Sequence, residues 1–485
     1  MTPPRRRCPW CVLHCLVALA LAPGAQADAD RWYQIALDGQ PAGTAQESTR
    51  RDAEGTHSHS TLQWVLQRAG QRLEMDLRVD VLEDAQGLRQ QTVDGSLAGD
   101  HYRVEAIVEG QDVHLQVSTA GRRYPREAHS DGPLWGPEMV RQQTLQALQH
   151  DGDLLRFHAL SEDTGAVVVM ERRLLGARTL DAPFRVSEQT STDPHPVESV
   201  LDSAGYLLES HESSPLGSMD TRRTQGPPTT AALVGAPIGL AAQIPVDATL
   251  PTPRAVQVLE LMLSPRGAAL DPADFTGPGQ HASARADGRV GLQIERVGAD
   301  EASHAAPTPA EREANALYNS DAPEIHALVQ QLTAGLTDND VRIDTLVGWV
   351  TQHLHFDPGF AIASALDVLH HRRGTCVAYA TLAATLLRSA GYPARVVYGY
   401  AYAEGAFVGH AWTEVWRTGQ WRAVDAALVG VGTADAARIA LGRSDGHWGP
   451  LSGLDQLAQS FGRFDVAIGA YVVNGVRTDL SAQTH

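Results

Sequence analysis

The stretch that decides the fold runs from Arg373 to Asp425 and reads RGTCVAYATLAATLLRSAGYPARVVYGYAYAEGAFVGHAWTEVWRTGQWRAVD. After Gly374-Thr375-Cys376, the run Val377–Ala390 is strongly helical and closes on a glycine and a proline. The pattern predicts that Cys376 lies at or just before a helix N-terminus. Peptide dipoles and free N–H groups at that position stabilise a thiolate and can bind a substrate oxyanion.

Two strands joined by a short turn are predicted further along the same stretch. The first contains His410 and Trp412, and the second ends at Asp425 after the Thr418-Gly419 turn. If that turn is a two-residue hairpin, Asp425 falls opposite Trp412 and shares a sheet face with His410. A loop of odd length would send the two side chains to opposite faces, and the sequence leaves both registers open.

The cysteines narrow the chemistry to one thiol. Cys8, Cys11 and Cys15 lie in the first 27 residues, so Cys376 is the only cysteine after them. One interpretation is an inert, buried cysteine. The other is a nucleophile, which needs a base to take its proton and a third group to orient that base. His410 and Asp425 supply residue types for those two roles.

Four motifs then carry a resemblance to a known family. They are Gly374-Thr375-Cys376, Leu386–Arg395, His410–Val415 and Trp421–Asp425, and over about Tyr318–Gly442 the chain resembles the bacterial transglutaminase-like superfamily. The resemblance implies an α+β, papain-like core.

The same resemblance implies roles for three residues, with Cys376 as nucleophile, His410 as base and Asp425 as orienter. Members of the superfamily are associated with amide cross-linking, deamidation, peptide hydrolysis and deglycosylation, and some lack activity. The resemblance therefore implies a catalytic core without identifying the substrate.

The rest of the chain predicts several domains, since 485 residues exceed the usual size of a single core. Residues 28–224 form a β-rich domain, because Leu73 to Val81 alternate with polar residues and Tyr102–Val108 and Val113–Val117 form a hairpin. A helix is predicted from Pro137 to about His150. Residues 225–254 are a predicted linker, residues 255–317 a small β-rich region with a connector, and residues 318–485 the transglutaminase-like domain with a C-terminal extension.

The N-terminal segment, residues 1–27, is typical of a signal peptide. It has three arginines, a short apolar stretch and an Ala25-Gln26-Ala27 cleavage signal. The apolar stretch is too short to span a bilayer, so we expect a periplasmic or secreted protein with no integral membrane span. Removal of three arginines changes the formal charge from −18 to −21, which disfavours nucleic acid as a partner.

Weaker signals concern metals and substrate contacts. His353, His355, His370 and His371 are interpreted as solvated surface residues, and Asp338-Asn339-Asp340 as a helix-capping turn, so no metal or cofactor is expected. Another pair of histidines, at positions 57 and 59, is interpreted as part of a loop. Trp412 is a candidate substrate-binding residue, although aromatic residues on a hairpin more often pack across strands.

Three functions compete at this point. The favoured one is a thiol-dependent acyl-transfer enzyme that acts on amide bonds of protein or peptide substrates through a Cys-thioester intermediate, with hydrolysis favoured over cross-linking. A cell-envelope protein is one candidate substrate. Cross-linking through lysine would need a partner protein, because all 39 basic residues of this chain are arginine. The alternative is a noncatalytic transglutaminase-like module that binds or organises a protein of the cell envelope.

Overall fold

The computed structural model describes residues 30–68, 71–97, 100–161, 165–190, 196–214, 217–228, 233, 236–237, 243–296, 305–358, 364–446, 457 and 460–480. The predicted signal peptide, residues 1–27, lies outside these described residues. The chain divides into two compact units, Met1–Gly239 and Leu240–His485. Among the described residues, helices long and apolar enough to cross a bilayer are absent.

The first unit is built on one large, almost wholly antiparallel sheet. Its described strands are β1 (Arg31–Leu37), β2 (Gln40–Arg51), β3 (Thr56–Arg68), β4 (Gln71–Asp84), β5 (Gly87–Leu97), β6 (Asp100–Glu109), β7 (Asp112–Thr119), β8 (Arg122–His129), β9 (Leu154–Leu160), β10 (Val167–Leu175), β11 (Phe184–Thr190), β12 (Val197–Leu201), β13 (Leu207–Ser214), β14 (Gly217–Thr224) and β15 (Ala236–Pro237). Strands β1 to β8 follow one another in order across one half of the sheet, and strands β9 to β14 do so across the other. The two halves join where β1 pairs with β14, so β8 and β9 form opposite edges, and β15 runs parallel to β3.

The predicted alternation sets which face of this sheet is buried. In β4, Leu77, Val79 and Val81 are buried while Asp76 and Arg78 are exposed, as a half-buried antiparallel strand requires. The predicted hairpin is also confirmed, because β6 and β7 pair across a two-residue turn. The pair of histidines at positions 57 and 59 was wrongly predicted to lie in a loop, since both lie in β3 and pair with β4.

The predicted helix is α1 (Pro137–Ala147), which connects β8 to β9. Its first-turn N–H groups, at Glu138 and Met139, donate to the Glu83 carboxylate at 2.6 and 3.4 Å, which caps the helix from a neighbouring strand. Val140 and the following Leu148 pack into the same hydrophobic core as the buried faces of the strands. The helix therefore covers part of the apolar face of the sheet.

The described residues of the second unit combine helices with two five-stranded sheets and the two-stranded sheet β20-β21. Its described helices are α2 (Pro323–Thr333), α3 (Asn339–His353), α4 (Ala365–His371) and α5 (Cys376–Ser389). Its described strands are β16 (Gln243–Pro245), β17 (Val256–Pro265), β18 (Gln280–Ala284), β19 (Val290–Glu295), β20 (His355–Phe356), β21 (Arg373–Gly374), β22 (Ala394–Ala403), β23 (Ala406–Arg417), β24 (Gln420–Val424), β25 (Arg438–Ser444), β26 (Phe464–Val473) and β27 (Val476–Asp479). Short 3-10 turns occupy Pro253–Ala255, Pro272–Phe275 and Pro309–Glu311.

Strand order places the predicted chemistry on one of these sheets. The first sheet has the order β16-β23-β22-β25, with β24 paired to β23, and the second has the order β18-β19-β17-β26-β27. The strands predicted between residues 255 and 317 thus join a sheet completed by strands near the C-terminus. Strand β16 falls within the segment predicted as a linker and pairs with β23.

Local sequence signals fix where two of the helices begin. The Asp338 side chain accepts hydrogen bonds from the backbone N–H groups of Asp340 and Val341, so the predicted capping turn at α3 is confirmed. Ser364 accepts from the N–H of Asp367 and caps α4, as its sequence spacing predicts.

Candidate active site

Cys376 is the first residue of α5, a helix of 14 residues. Thr375 is its extended N-cap residue, and α5 packs on β22 and β23. Cys376 is half-buried, and its thiol accepts a hydrogen bond from the backbone N–H of Ala411 in β23. The predicted position at a helix N-terminus is therefore observed, and a backbone donor from a strand adds to the field of the helix there.

His410 and Asp425 lie on a tight hairpin formed by β23 and β24. Thr418 and Gly419 form the turn with φ of 50° and 86°, the left-handed pair that a two-residue type I′ turn requires. Arg417 pairs with Gln420, so the even register holds. Asp425 follows β24 directly and thus reaches the same side of the hairpin as His410.

The two side chains meet at hydrogen-bonding distance. Nε2 of His410 lies 2.8 Å from Oδ2 of Asp425, and both residues are buried. The other carboxylate oxygen, Oδ1, accepts the backbone N–H groups of Ala427 at 2.9 Å and Leu428 at 3.1 Å. Since Asp425 engages Nε2, Nδ1 is the ring nitrogen available for the hydrogen bond between His410 and Cys376.

The ionisation of these groups follows from that contact chain. Burial alone would raise the pKa of the Cys376 thiol, but the hydrogen bond and charge of His410 outweigh it and hold that pKa below its ordinary value. Burial would lower the pKa of His410, but the charge and hydrogen bond of Asp425 raise it to about 9. A lowered thiol pKa beside a raised imidazole pKa favours a thiolate–imidazolium pair near neutral pH.

The sequence model of the transglutaminase-like superfamily matches residues 326–426, a range that contains Cys376, His410 and Asp425. This part of the chain is a transglutaminase-like domain. An uncharacterised protein of Mycobacterium leprae is 34% identical over 116 residues, which make up 22% of this chain. The match spans 41% of the length of that curated relative.

Two solved structures show partial likenesses to the chain. A protein from Cytophaga hutchinsonii, provisionally described as a cysteine protease, matches over 47% of this chain and 90% of its own at 12% identity, with a TM-score of 0.28. A β-barrel-like protein from Brucella abortus with a domain of unknown function matches over 41% of this chain and 95% of its own at 11% identity, with a TM-score of 0.33. TM-scores of this size do not establish a shared fold.

Arg438 is a buried neighbour of this Cys–His–Asp set that sequence reasoning missed. It begins β25, and its Nη1 donates to Oδ2 of Asp425 at 2.8 Å. Burial opposes ionisation of Asp425, but the charges of His410 and Arg438 hold the pKa of its carboxyl well below the usual range. A pairing between β25 and β22 brings Arg438 to this position, and the sequence around residue 438 carries no periodic signal for that pairing.

Trp412, the candidate for substrate contact in the transglutaminase-like domain, is 2% exposed. Its ring stacks on His410 at 6.2 Å between centroids, and the Arg438 guanidinium lies 5.2 Å from its centroid on a cation–π contact. Val397 and Ala440 complete its packing. This burial favours a packing role, and substrate contact by Trp412 stays a prediction.

Among the described residues, His57 lies in a group of side chains that could share an ion, whereas His353, His355, His370 and His371 do not. Within the described residues, one group of His, Cys, Asp and Glu side chains converges closely enough to share an ion, namely Asp52, Glu54 and His57 in the first unit. Nδ1 of His353 donates to the backbone carbonyl of Trp349 in its own helix at 2.8 Å, and Nδ1 of His371 donates to the Asp367 carbonyl within α4 at 2.8 Å.

Proposed function

We propose that this protein is a thiol-dependent acyl-transfer enzyme that cleaves amide bonds of protein or peptide substrates through a thioester on Cys376. The observation that carries the proposal is the contact chain from the Cys376 thiol at the start of α5, through His410, to Asp425 at 2.8 Å. A papain-like α+β core is the fold that the transglutaminase-like match supports for this domain. Hydrolysis and export belong to the same proposal.

The chemistry proceeds in two halves. The Cys376 thiolate attacks the carbonyl carbon, a C–S bond forms, and His410 gives its proton to the departing amine as the C–N bond breaks. A water molecule then attacks the thioester, His410 takes its proton, and the C–S bond breaks to release a carboxylic acid. Asp425 holds the imidazole in the tautomer and orientation that both steps need.

Export is proposed from the N-terminal sequence pattern. Residues 1–27 have the basic start, apolar stretch and small-residue cleavage signal of a secretory signal peptide. The substrate would then be a protein or peptide of the periplasm or of the medium. Cleavage after Ala27 is tested by N-terminal sequencing of the protein recovered from its native host.

The first experiment measures the rate of Cys376 alkylation by iodoacetamide as a function of pH. Cys376 is the only thiol after residue 27, so the mature protein reports on this site alone. We expect rapid alkylation well below the ordinary thiol pKa of about 8.5, and loss of that low-pH reactivity in His410→Ala. The matched control is His326→Ala, an exposed histidine of α2 that contacts Ser389 instead of the thiol.

Slow alkylation that His410→Ala leaves unchanged would refute an activated thiol and support the noncatalytic module. A labelled primary amine then separates transfer from hydrolysis. Stable label on a Gln-containing acceptor protein would support cross-linking chemistry. Incorporation of ¹⁸O from water into the released carboxylate, with no amine label, would support hydrolysis.

A further inference from the structure

The Asp425 carboxylate is held by four donors. Oδ1 accepts two backbone N–H groups, and Oδ2 accepts both His410 Nε2 and Arg438 Nη1, each at 2.8 Å. His410 therefore shares one oxygen with a permanent cation. A carboxylate with four fixed donors cannot rotate without breaking several hydrogen bonds at once, so its orientation is set before any substrate binds.

Arg438 is fixed in turn from its other side. Its Nη2 donates to Oδ2 of Asp435 at 2.7 Å, and its Nε donates to the Asp435 carbonyl at 3.1 Å. The same Oδ2 of Asp435 accepts Nη1 of Arg254 at 2.8 Å. The side chains of Arg438, Asp425 and Asp435 are 4%, 1% and 0% exposed. Charges thus alternate along a row that runs from the half-buried Arg254 through the buried Asp435 and Arg438 to Asp425.

We propose that Arg438 is a positioning residue, which locks the Asp425 carboxylate and through it sets the His410 ring for proton transfer at Cys376. This inference rests on the proposed function, because it assigns a residue to the same site. Arg438 acts through Asp425 and has no assigned contact with a substrate. Its guanidinium suits the task because a planar fork can bridge two carboxylates, which a lysine ammonium does less well.

The charges along this row affect the ionisation of the Cys376 thiol. The negative charge of Asp425 opposes ionisation of Cys376, and Arg438 offsets that charge from 2.8 Å away. Without the arginine, Asp425 would repel the thiolate more strongly and could turn away from His410. Both consequences act in one direction, so the pH at which Cys376 becomes reactive should rise.

The test is the pH profile of Cys376 alkylation in Arg438→Met, a substitution close in length that removes the charge. We expect the midpoint of the acidic limb to move up by roughly half to one pH unit. The matched control is Arg443→Met, on the same strand, where the arginine pairs with Glu414 at 3.2 Å and does not contact Asp425. That control should lose thermal stability and leave the midpoint unchanged.

A second variant tests the same role in case Arg438→Met does not fold. Arg438→Lys keeps a buried cation but loses the fork between Asp425 and Asp435, so we expect a smaller shift in the same direction. Folding of each variant is checked by circular dichroism and melting temperature. Where Arg438→Met does not fold, the lysine variant decides the question.

The outcomes separate this inference from the proposed function. A low-pH limb in the wild type that His410→Ala abolishes, together with a raised midpoint in the Arg438 variants only, supports both. The same wild-type limb with unchanged midpoints in folded Arg438 variants overturns the role of Arg438 and leaves the proposed function standing. A wild type without any low-pH limb overturns both.

Discussion

The substitution Asp425→Asn tests whether the carboxylate at the centre of the site is needed as an anion. Each of its two oxygens accepts hydrogen bonds from two donors. An asparagine keeps the shape but replaces one oxygen by an NH₂ group, which only donates. Whichever way the amide turns, two donors lose their acceptor, and Arg438 loses part of its buried counter-charge.

The magnitude follows from burial. Asp425 and Arg438 are both nearly inaccessible to solvent, and breaking a buried ion pair by removing one partner costs about 3–5 kcal/mol. A typical domain has a free energy of unfolding of about 5–15 kcal/mol, so the loss would be a large share of the total. Because Asp425 has a lowered pKa, its contribution is complete above the ordinary carboxyl pKa near 4 and disappears as the pH falls through the folded value.

Urea unfolding at pH 7, followed by tryptophan fluorescence, measures this loss. The matched control is Asp465→Asn, since Asp465 pairs with Arg266 where both side chains are 54% exposed. Water and salt screen an exposed pair, so the control should barely shift the transition. If Asp425→Asn destabilised the protein no more than the control does, the four hydrogen bonds to Asp425 would not be a major source of stability.

Two further predictions concern pH. Turnover of an amide substrate should decline above about pH 9, because His410 loses there the proton that it gives to the leaving amine, and a rate that stays flat to pH 10 would contradict this assignment. In the first unit, burial raises the pKa of the Glu47 carboxyl to about 8. Between about pH 4.5 and 8 the folded protein therefore keeps a proton on Glu47 that the unfolded chain releases, so the free energy of unfolding should fall as the pH rises through this range. In Glu47→Gln, the difference between the melting temperatures at pH 6 and pH 8 should be smaller than in the wild type. An unchanged difference would contradict a protonated Glu47 in the folded protein.

Short-range patterns in the sequence predicted the elements that hold the Cys–His–Asp set. The helix that begins at Cys376 and the caps at Asp338 and Ser364 depend on residues within one turn of each other. The position of Asp425 relative to His410 depended on the number of residues in the turn between β23 and β24. Thr418-Gly419 settled it, because a left-handed pair suits a two-residue hairpin.

Long-range pairings explain what the sequence could not show. Arg438 reaches Asp425 only because β25 pairs with β22 on the side opposite β23, and Arg254 reaches Asp435 from a segment more than 180 residues earlier. The strands β17 and β26 also pair, although they lie near opposite ends of the second unit in the sequence. Each strand has the same alternation of buried and exposed residues whichever strand it pairs with, so the local sequence does not identify the partner.

One strand ties the parts of the candidate site together. Within β23, His410 offers its ring to Asp425 and Cys376, Ala411 donates its N–H to the Cys376 thiol, and Thr413 donates through Oγ1 to the Ala380 carbonyl of α5 at 2.9 Å. Three contacts within four residues therefore fix the distance between the base and the helix that carries the thiol. The strand pairs with β22 along one edge, where Gly399 lies opposite His410, and with β16 and β24 along the other, so the backbone that carries the base is held from both sides. The rigidity that proton transfer requires thus comes from the sheet, while the charge that tunes it comes from Asp425 and Arg438.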